Sequence, residues 1–321
     1  MAWEAAIAAF AAVVGAGFVS GREIFVFFSM HGALGGVLAL GAALLLALGS
    51  WRSAQTLPAV PRVASLWRLM IAAFSFVTLS AVLASLGSLV QVRLGLPATL
   101  GAAAAALIAA GLTRRGTVAL RRWQGLLLVA VLAAVAATAC LGLWRLPKAP
   151  LPMAVSPLQA ILAVCGYAAY NIALASDGVR RSAKGRGARG RRGAFLGGLA
   201  AGLLLTLEAA VLAGSGMLVA HADLPLREVA LQLHGLLAGA VDGAIALASL
   251  SAAASFLQAC AELLGGTYAA AIMAFLASTL GVQVIVDRAY PVMATIALFW
   301  MLALIWPPAL AGIARPHGQG R

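Results

Sequence analysis

Apolar runs of about 20 residues, the length that crosses the hydrocarbon core of a bilayer, recur along this whole chain. They fall at roughly 4–29, 33–51, 66–90, 96–112, 118–142, 157–178, 194–219, 236–261, 267–286 and 291–313. A chain that is 63% hydrophobic and 10% charged, with mean hydropathy +1.02, cannot coat a soluble globule of this size with polar residues. The expected fold class is an all-α polytopic membrane protein with ten transmembrane helices, because lipid leaves a spanning backbone few other ways to satisfy its N–H and C=O groups. Met1-Ala2-Trp3-Glu4 offers no basic n-region, and no cleavage site leads from the first run into a soluble domain. That run is therefore expected to remain as a helix rather than be removed as a signal peptide.

The formal net charge is +13, from 22 Lys and Arg against 9 Asp and Glu. Such an excess suits nucleic acid or acidic lipid, but its distribution along the chain argues for topology. With the N-terminus inside, only Arg22, Arg93, Arg145, Lys148, Arg227 and Arg288 fall at outer ends, and the other basic residues all fall on the inner side. Loss of the weakest span, 96–112, would invert every later loop and put the arginine-rich stretch 180–192 outside. Both termini are expected in the cytoplasm, with 180–192 a flexible, topology-fixing loop and nucleic acid not a partner. Cys140, Cys165 and Cys260 stand alone inside spans, without C-x-x-C spacing, and read as small packing residues.

The first run contains Gly15-Ala16-Gly17-Phe18-Val19-Ser20-Gly21. Glycine costs a helix interior about 1 kcal/mol relative to alanine, so three of them and a serine within one spanning segment predict a break. Broken winding at membrane depth is tolerated only where the freed backbone faces protein or a polar cavity, which makes the break a place to hold a small solute. The proline-rich stretch Trp144 to Pro157 divides the chain, read as one transmembrane domain, into halves 1–150 and 151–321 of five spans each. An odd number per half reverses the second half in the membrane, as an inverted repeat requires. Its opening span should then be interrupted too, and Gly166, Tyr167, Tyr170 and Asn171 lie near its middle. Otherwise Gly166 is a packing glycine and the tyrosines are interfacial.

These residues carry a resemblance. Gly15-Ala16-Gly17-Phe18-Val19-Ser20-Gly21-Arg22-Glu23-Ile24 with Phe27-Phe28 resembles the opening signature of the YkvI-like bacterial membrane proteins, and Tyr170-Asn171 is similar to their second signature. Arg22 stands where that family more usually has glutamine. The family is related to the amino acid-polyamine-organocation transporters, so the resemblance implies a LeuT-type 5+5 inverted repeat with discontinuous helices 1 and 6, in a bacterial cytoplasmic (inner) membrane. It also implies substrate-binding positions. Gly15, Ala16, Gly17, Ser20 and Gly21 form the break, where the Ala16 and Gly17 amides would hold a substrate carboxylate. Tyr167, Tyr170 and Asn171 would shape the rest of the pocket, and Phe18 would either cap it or pack on a neighbouring helix. The eighth run offers Ser249, Ser251 and Ser255 at suitable depth, and a sodium site would take carbonyls of Ala11 and Val14 with the hydroxyls of Ser251 and Ser255, which lie one turn apart. Such serines otherwise bond back to their own helix.

Proton coupling has its own candidate. Glu208 lies halfway along the seventh run, where a carboxyl costs ~2.5 kcal/mol or more, so it is either a proton carrier or a protonated structural acid. Arg22, Glu23 and Asp242 fall at the outer ends of the first and eighth runs, as an ion-paired outer gate or as interfacial charges. Gly235, Gly239 and Gly243 look like a close-packing stripe. No H-E-x-x-H or G-x-S-x-G pattern is present, so no enzyme, catalytic residue, cofactor or metal beyond a coupling Na+ or H+ is expected. The function expected is a secondary active transporter, working by alternating access and coupled to Na+ or H+, of a small organic solute such as an amino acid or related amine or carboxylate, with symport, antiport and uniport all open. A non-transporting receptor with a transporter fold and a channel are the alternatives, and the oligomeric state stays open.

Overall fold

Helical winding in the first run stops where its glycines stand. The computed structural model describes residues 2–55, 61–114, 117–149 and 156–305, and the regular elements among them are all helical. Helix α1 (Ala2–Val13) gives way at Gly15, whose backbone is extended at φ −89° and ψ −170°. Helix α2 (Ala16–Ser20) is closed off by Gly21 in the left-handed conformation, φ +81°. A side chain at Gly21 would also meet the backbone nitrogen of Leu226 at 2.9 Å, so the position requires glycine twice over. Helix α3 (Arg22–Phe27) and a 3-10 turn (Ser29–His31) complete the broken span before α4 (Gly32–Ser53).

Helices α5 (Pro61–Leu94), α6 (Ala98–Arg114), α7 (Thr117–Arg145) and α8 (Pro157–Ala183) follow. This last helix does not break, which corrects the expectation of a discontinuous sixth span. Ser156 and Gln159 form a capping box at its start, with Pro157 in the first turn. Gly166 is instead a point of close approach, since a Cβ there would lie 2.9 Å from that of Ala294. A single glycine costs the helix about 1 kcal/mol, which close interhelical packing offsets.

The arginine-rich stretch is likewise more ordered than expected. Only Lys184 to Arg186 separates α8 from α9 (Gly187–Gly214), because Gly185 and Gly187 take positive φ and allow a tight turn. Short helices α10 (Gly216–Val219) and α11 (Pro225–Leu233) lead to α12 (Gly235–Leu264) and α13 (Thr267–Ser278). The boundary between the last two runs also moves. A turn at Gly281, φ +85°, ends the ninth run early, and α14 (Val282–Val284), a π-helical turn (Ile285–Ala289) and α15 (Tyr290–Ile305) follow as one composite helix. Asp287 and Arg288, read from sequence as loop, are wound into that π turn.

Among the described residues six helices are long and apolar enough to span a membrane, namely α4, α5, α8, α9, α12 and the composite helix. Shorter apolar helices cover Trp3–Val13, Ala98–Arg114, Val129–Arg145 and Thr267–Ser278. At 12 residues α13 is ~18 Å long, short of a ~30 Å hydrocarbon core. Residues 150–155 of the proline-rich stretch, the last part of the tenth run and the C-terminus lie outside the described residues.

Two groups of helices make the interior. The first joins α1 and α3 to α4, α8 and α9; the second joins α5, α6, α12 and α13. Small residues set the spacing within the first: a Cβ on Gly197 would lie 2.1 Å from the Ala6 carbonyl oxygen, and one on Gly202 2.3 Å from the Ala43 Cα. The stripe expected on α12 plays no such part, since Gly235 and Gly243 have nothing within 4 Å. Leu40, Leu44, Leu107, Leu203 and Phe299 are exposed while Glu23, Asn171 and Glu208 are buried, the distribution that suits lipid as solvent.

Candidate functional site

The break in the first span holds a carboxyl of this chain itself. The Glu23 side chain folds back from α3 onto α2, where Oε2 stands 2.2 Å from the position a Gly17 Cβ would take. Ser20, one turn on, donates its Oγ to the Gly17 carbonyl at 3.0 Å and accepts the Arg22 N–H at 3.3 Å. The place beside Gly17 proposed from sequence for a substrate carboxylate is thus faced by an acid.

Around Glu23 the interior is polar and aromatic. Glu208 on α9 is completely buried and is its electrostatic neighbour, and Asn171 on α8 lies within hydrogen-bonding reach of the Glu23 carboxyl. Asn171 also donates Nδ2 to the Tyr167 carbonyl at 3.1 Å. The Tyr167 hydroxyl sits in the field of both carboxyls, and Tyr290 in that of Glu23, with Thr78 of α5 beside it. Rings of Phe27, Phe28, Tyr167, Tyr170 and Tyr290 form a connected set with centroids 4.9–5.9 Å apart. Glu23 Oε1, both oxygens of Glu208 and the hydroxyls of Tyr167, Tyr170 and Tyr290 are buried without a hydrogen-bond partner. Buried polar atoms are ordinarily paired, so six such atoms in one neighbourhood mark a place built for something other than packing. Phe18 is fully buried in the main core but makes none of these ring contacts.

The site is shut on both sides. At one end, Arg22 reaches Asp287 of the π turn with two guanidinium nitrogens, and its Nη1 donates to the carbonyls of Ala220 at 2.8 Å and Ala222 at 3.3 Å. Helix α11 lies across the same end, tied by an Arg227–Asp242 ion pair at 3.0 Å, and Ser88 donates to Asp223 just before it at 2.8 Å. At the other end, Ala5 and Ala9 of α1 pack with Ala175, Val179, Ala183 and Ala194, and Glu4 pairs with Arg186. These pairs each join residues that the loop count puts on one side of the membrane.

Arg22, Glu23 and Asp242 therefore do not form one ion-paired gate. Arg22 pairs with Asp287, Asp242 with Arg93 and Arg227, and Glu23 turns inward, because a carboxyl on the first turn of α3 follows the left-handed turn at Gly21. The expected sodium ligands differ in their burial. Ala11 is half-buried and Val14 is buried at the break, where its N–H donates to the Phe10 carbonyl at 2.9 Å. Ser251 is half-buried, while Ser255 is exposed and donates to the Ser251 carbonyl at 3.1 Å. The serine that α12 buries, without a partner for its hydroxyl, is Ser249.

Sequence reasoning missed Tyr290, Thr78, Asp287 and the inward course of Glu23. A tyrosine in a misplaced loop gives no signal, whereas Phe27-Phe28 stood in the opening motif and carried one that was not used.

No protein-family model and no curated protein matches the sequence. The fold is similar to solved structures of the Eremococcus coleocola manganese transporter. Two mutant forms superpose over 97% of this chain and 72% of theirs, with TM-score 0.53 and 15% identity. The same transporter in complex with an aromatic bis-isothiourea substituted compound superposes over 95% of this chain and 70% of that chain, with TM-score 0.50 and 14% identity. At that identity the likeness is one of fold alone.

Proposed function

We propose that this chain is a secondary transporter that carries a small organic solute by alternating access, with the solute bound between the break at Gly15–Gly21 and the polar face of α8. The observation that carries this reading is the buried set of Glu23, Glu208, Asn171 and three tyrosine hydroxyls beside a broken spanning helix, closed at both ends. Ten spans in two inverted halves are part of it. Exchange of first for sixth, second for seventh and so on turns the contact of α1 with α9 into that of α4 with α8, and the contact of α6 with α12 into that of α13 with α5, and each of these four is present. The opening signature, shared with YkvI-like proteins, and a relation to the amino acid-polyamine-organocation transporters fit the same reading. So do a bacterial cytoplasmic membrane and cytoplasmic termini.

On this reading Arg22–Asp287 and the α11 contacts are the outer closure, and the apolar packing of α1 on α8 and α9 is the inner one. Coupling is to H+ through Glu208 or to Na+ near Val14 and Ser249. The manganese transporters of similar fold favour a second reading, a divalent cation held by the two carboxyls and Asn171. Reconstitution separates the possibilities. Purified protein in liposomes should take up amines, amino acids or Mn2+ under an imposed proton or sodium gradient, and Gly17→Leu should insert without uptake. Binding without flux would instead make the protein a receptor, and gradient-independent flux would make it a channel.

A further inference from the structure

Two carboxyls share this site, and among the described residues neither has a basic partner. Arg22, next to Glu23 in sequence, is committed to Asp287 and to the carbonyls of Ala220 and Ala222. Of the other charged groups on surrounding elements, Arg227 is paired with Glu228 and Asp242, and Arg93 with Asp242. His31, in the 3-10 turn, is buried with both ring nitrogens unpartnered. Tyr167 and Tyr290 are the titratable groups that face the carboxyls directly. A dry pair of carboxyls has to be neutralised by protons or by a bound cation.

The walls say which cation. Five aromatic rings, each at most 2% exposed, cluster about Tyr167 and Tyr290, which lie beside the carboxyls, and aromatic rings are a lining that holds alkylammonium groups. Three tyrosine hydroxyls supply the few directed polar contacts. A metal ion asks for a shell of six or so oxygen ligands, and the described residues contain no group of three or more His, Cys, Asp and Glu placed to hold one. An anion would face two acids.

Resting on the transporter reading above, we infer that Glu23 and Glu208 bind a small organic ammonium ion in direct competition with protons, which makes the protein a proton-coupled antiporter. As the cation enters, one carboxyl O–H bond breaks and its proton leaves to water, so the net charge of the site is unchanged. Protons re-entering from the other side displace the cation. Both cannot be carried together, because the same oxygens hold either.

Tetramethylammonium, whose charge does not titrate, is the probe. Added to purified protein in weakly buffered detergent with a pH indicator, it should bind and release about one proton per cation, and by linkage its affinity should fall up to ~10-fold per pH unit on acidification. Glu23→Gln and Glu208→Gln should each weaken binding about 10- to 100-fold and reduce the release, in variants that remain monodisperse with unchanged helical circular dichroism. His31→Gln should leave both unchanged. In liposomes an outward proton gradient should drive tetramethylammonium uptake. Binding without proton release overturns the inference, as does release lost in His31→Gln but kept in both glutamate variants. Preference for pivalate, glycine betaine or Mn2+ over tetramethylammonium, or no tetramethylammonium binding, also overturns it. Those results leave the transporter reading standing, since that reading fails only if no solute of any charge is carried or Gly17→Leu behaves as wild type.

Discussion

Gly17→Ala is the smallest perturbation that reaches the site. The added methyl would stand 2.2 Å from Glu23 Oε2 and 3.4 Å from its Cβ and Cδ, so the acid stem stays in ordinary contact while the oxygen must retreat about 1.2 Å. The backbone has no reason to resist, because alanine favours helix over glycine by ~1 kcal/mol and Gly17 is within α2. Melting temperature should therefore hold or rise slightly. A misplacement of about 1 Å in a directed site is worth on the order of 100-fold, and solute binding or counterflow in proteoliposomes should fall by about that factor. Gly17→Ala combined with Glu23→Asp withdraws the carboxyl by roughly one C–C bond, ~1.5 Å, and should regain much of the loss. Wild-type binding in Gly17→Ala, or equal loss in the single and double variants, would refute the placement of Glu23 against α2.

Arg22→Ala removes four hydrogen bonds from the outer closure. Breaking a buried pair costs ~3–5 kcal/mol, discounted toward ~2 because Asp287 is 37% exposed. Labelling of Ala168→Cys from outside by an impermeant thiol reagent, in a background without Cys140, Cys165 and Cys260, should then speed up by ~10-fold or more; an unchanged rate counts against the closure. Gly202→Leu should lower thermal stability in detergent by about 1–3 kcal/mol, because even a Cβ there would lie 2.3 Å from the Ala43 Cα and force α9 away from α4. Ser255→Ala should leave any sodium dependence of uptake intact while Ser249→Ala reduces it, and the reverse outcome would favour the pairing of Ser251 and Ser255.

The break at Gly15–Gly21 was legible because glycine and serine act locally: their poor helix propensity needs no partner to be felt. The continuity of α8 was not, since Gly166 weakens a helix in isolation and tightens one against Ala294, and only the neighbour decides which. Glu208 and Tyr167, Tyr170 and Asn171 were found by depth alone. Glu23 was misread for the opposite reason, because its distance along the chain put it at the outer mouth, while the left-handed turn at Gly21 sends it back toward the middle. The π turn at Ile285–Ala289 hid Tyr290 and Asp287 together by letting a charged pair lie within a composite spanning helix.

The unbroken α8 sets a fixed post against which the rest is measured. Tyr167, Tyr170 and Asn171 ride on one rigid rod and keep their mutual spacing through any rearrangement, whereas Glu23 hangs on a jointed segment and Glu208 on a separate helix. Swinging the joint thus alters the gap between two acids without disturbing the tyrosine frame. Mechanical travel and charge state become one coordinate.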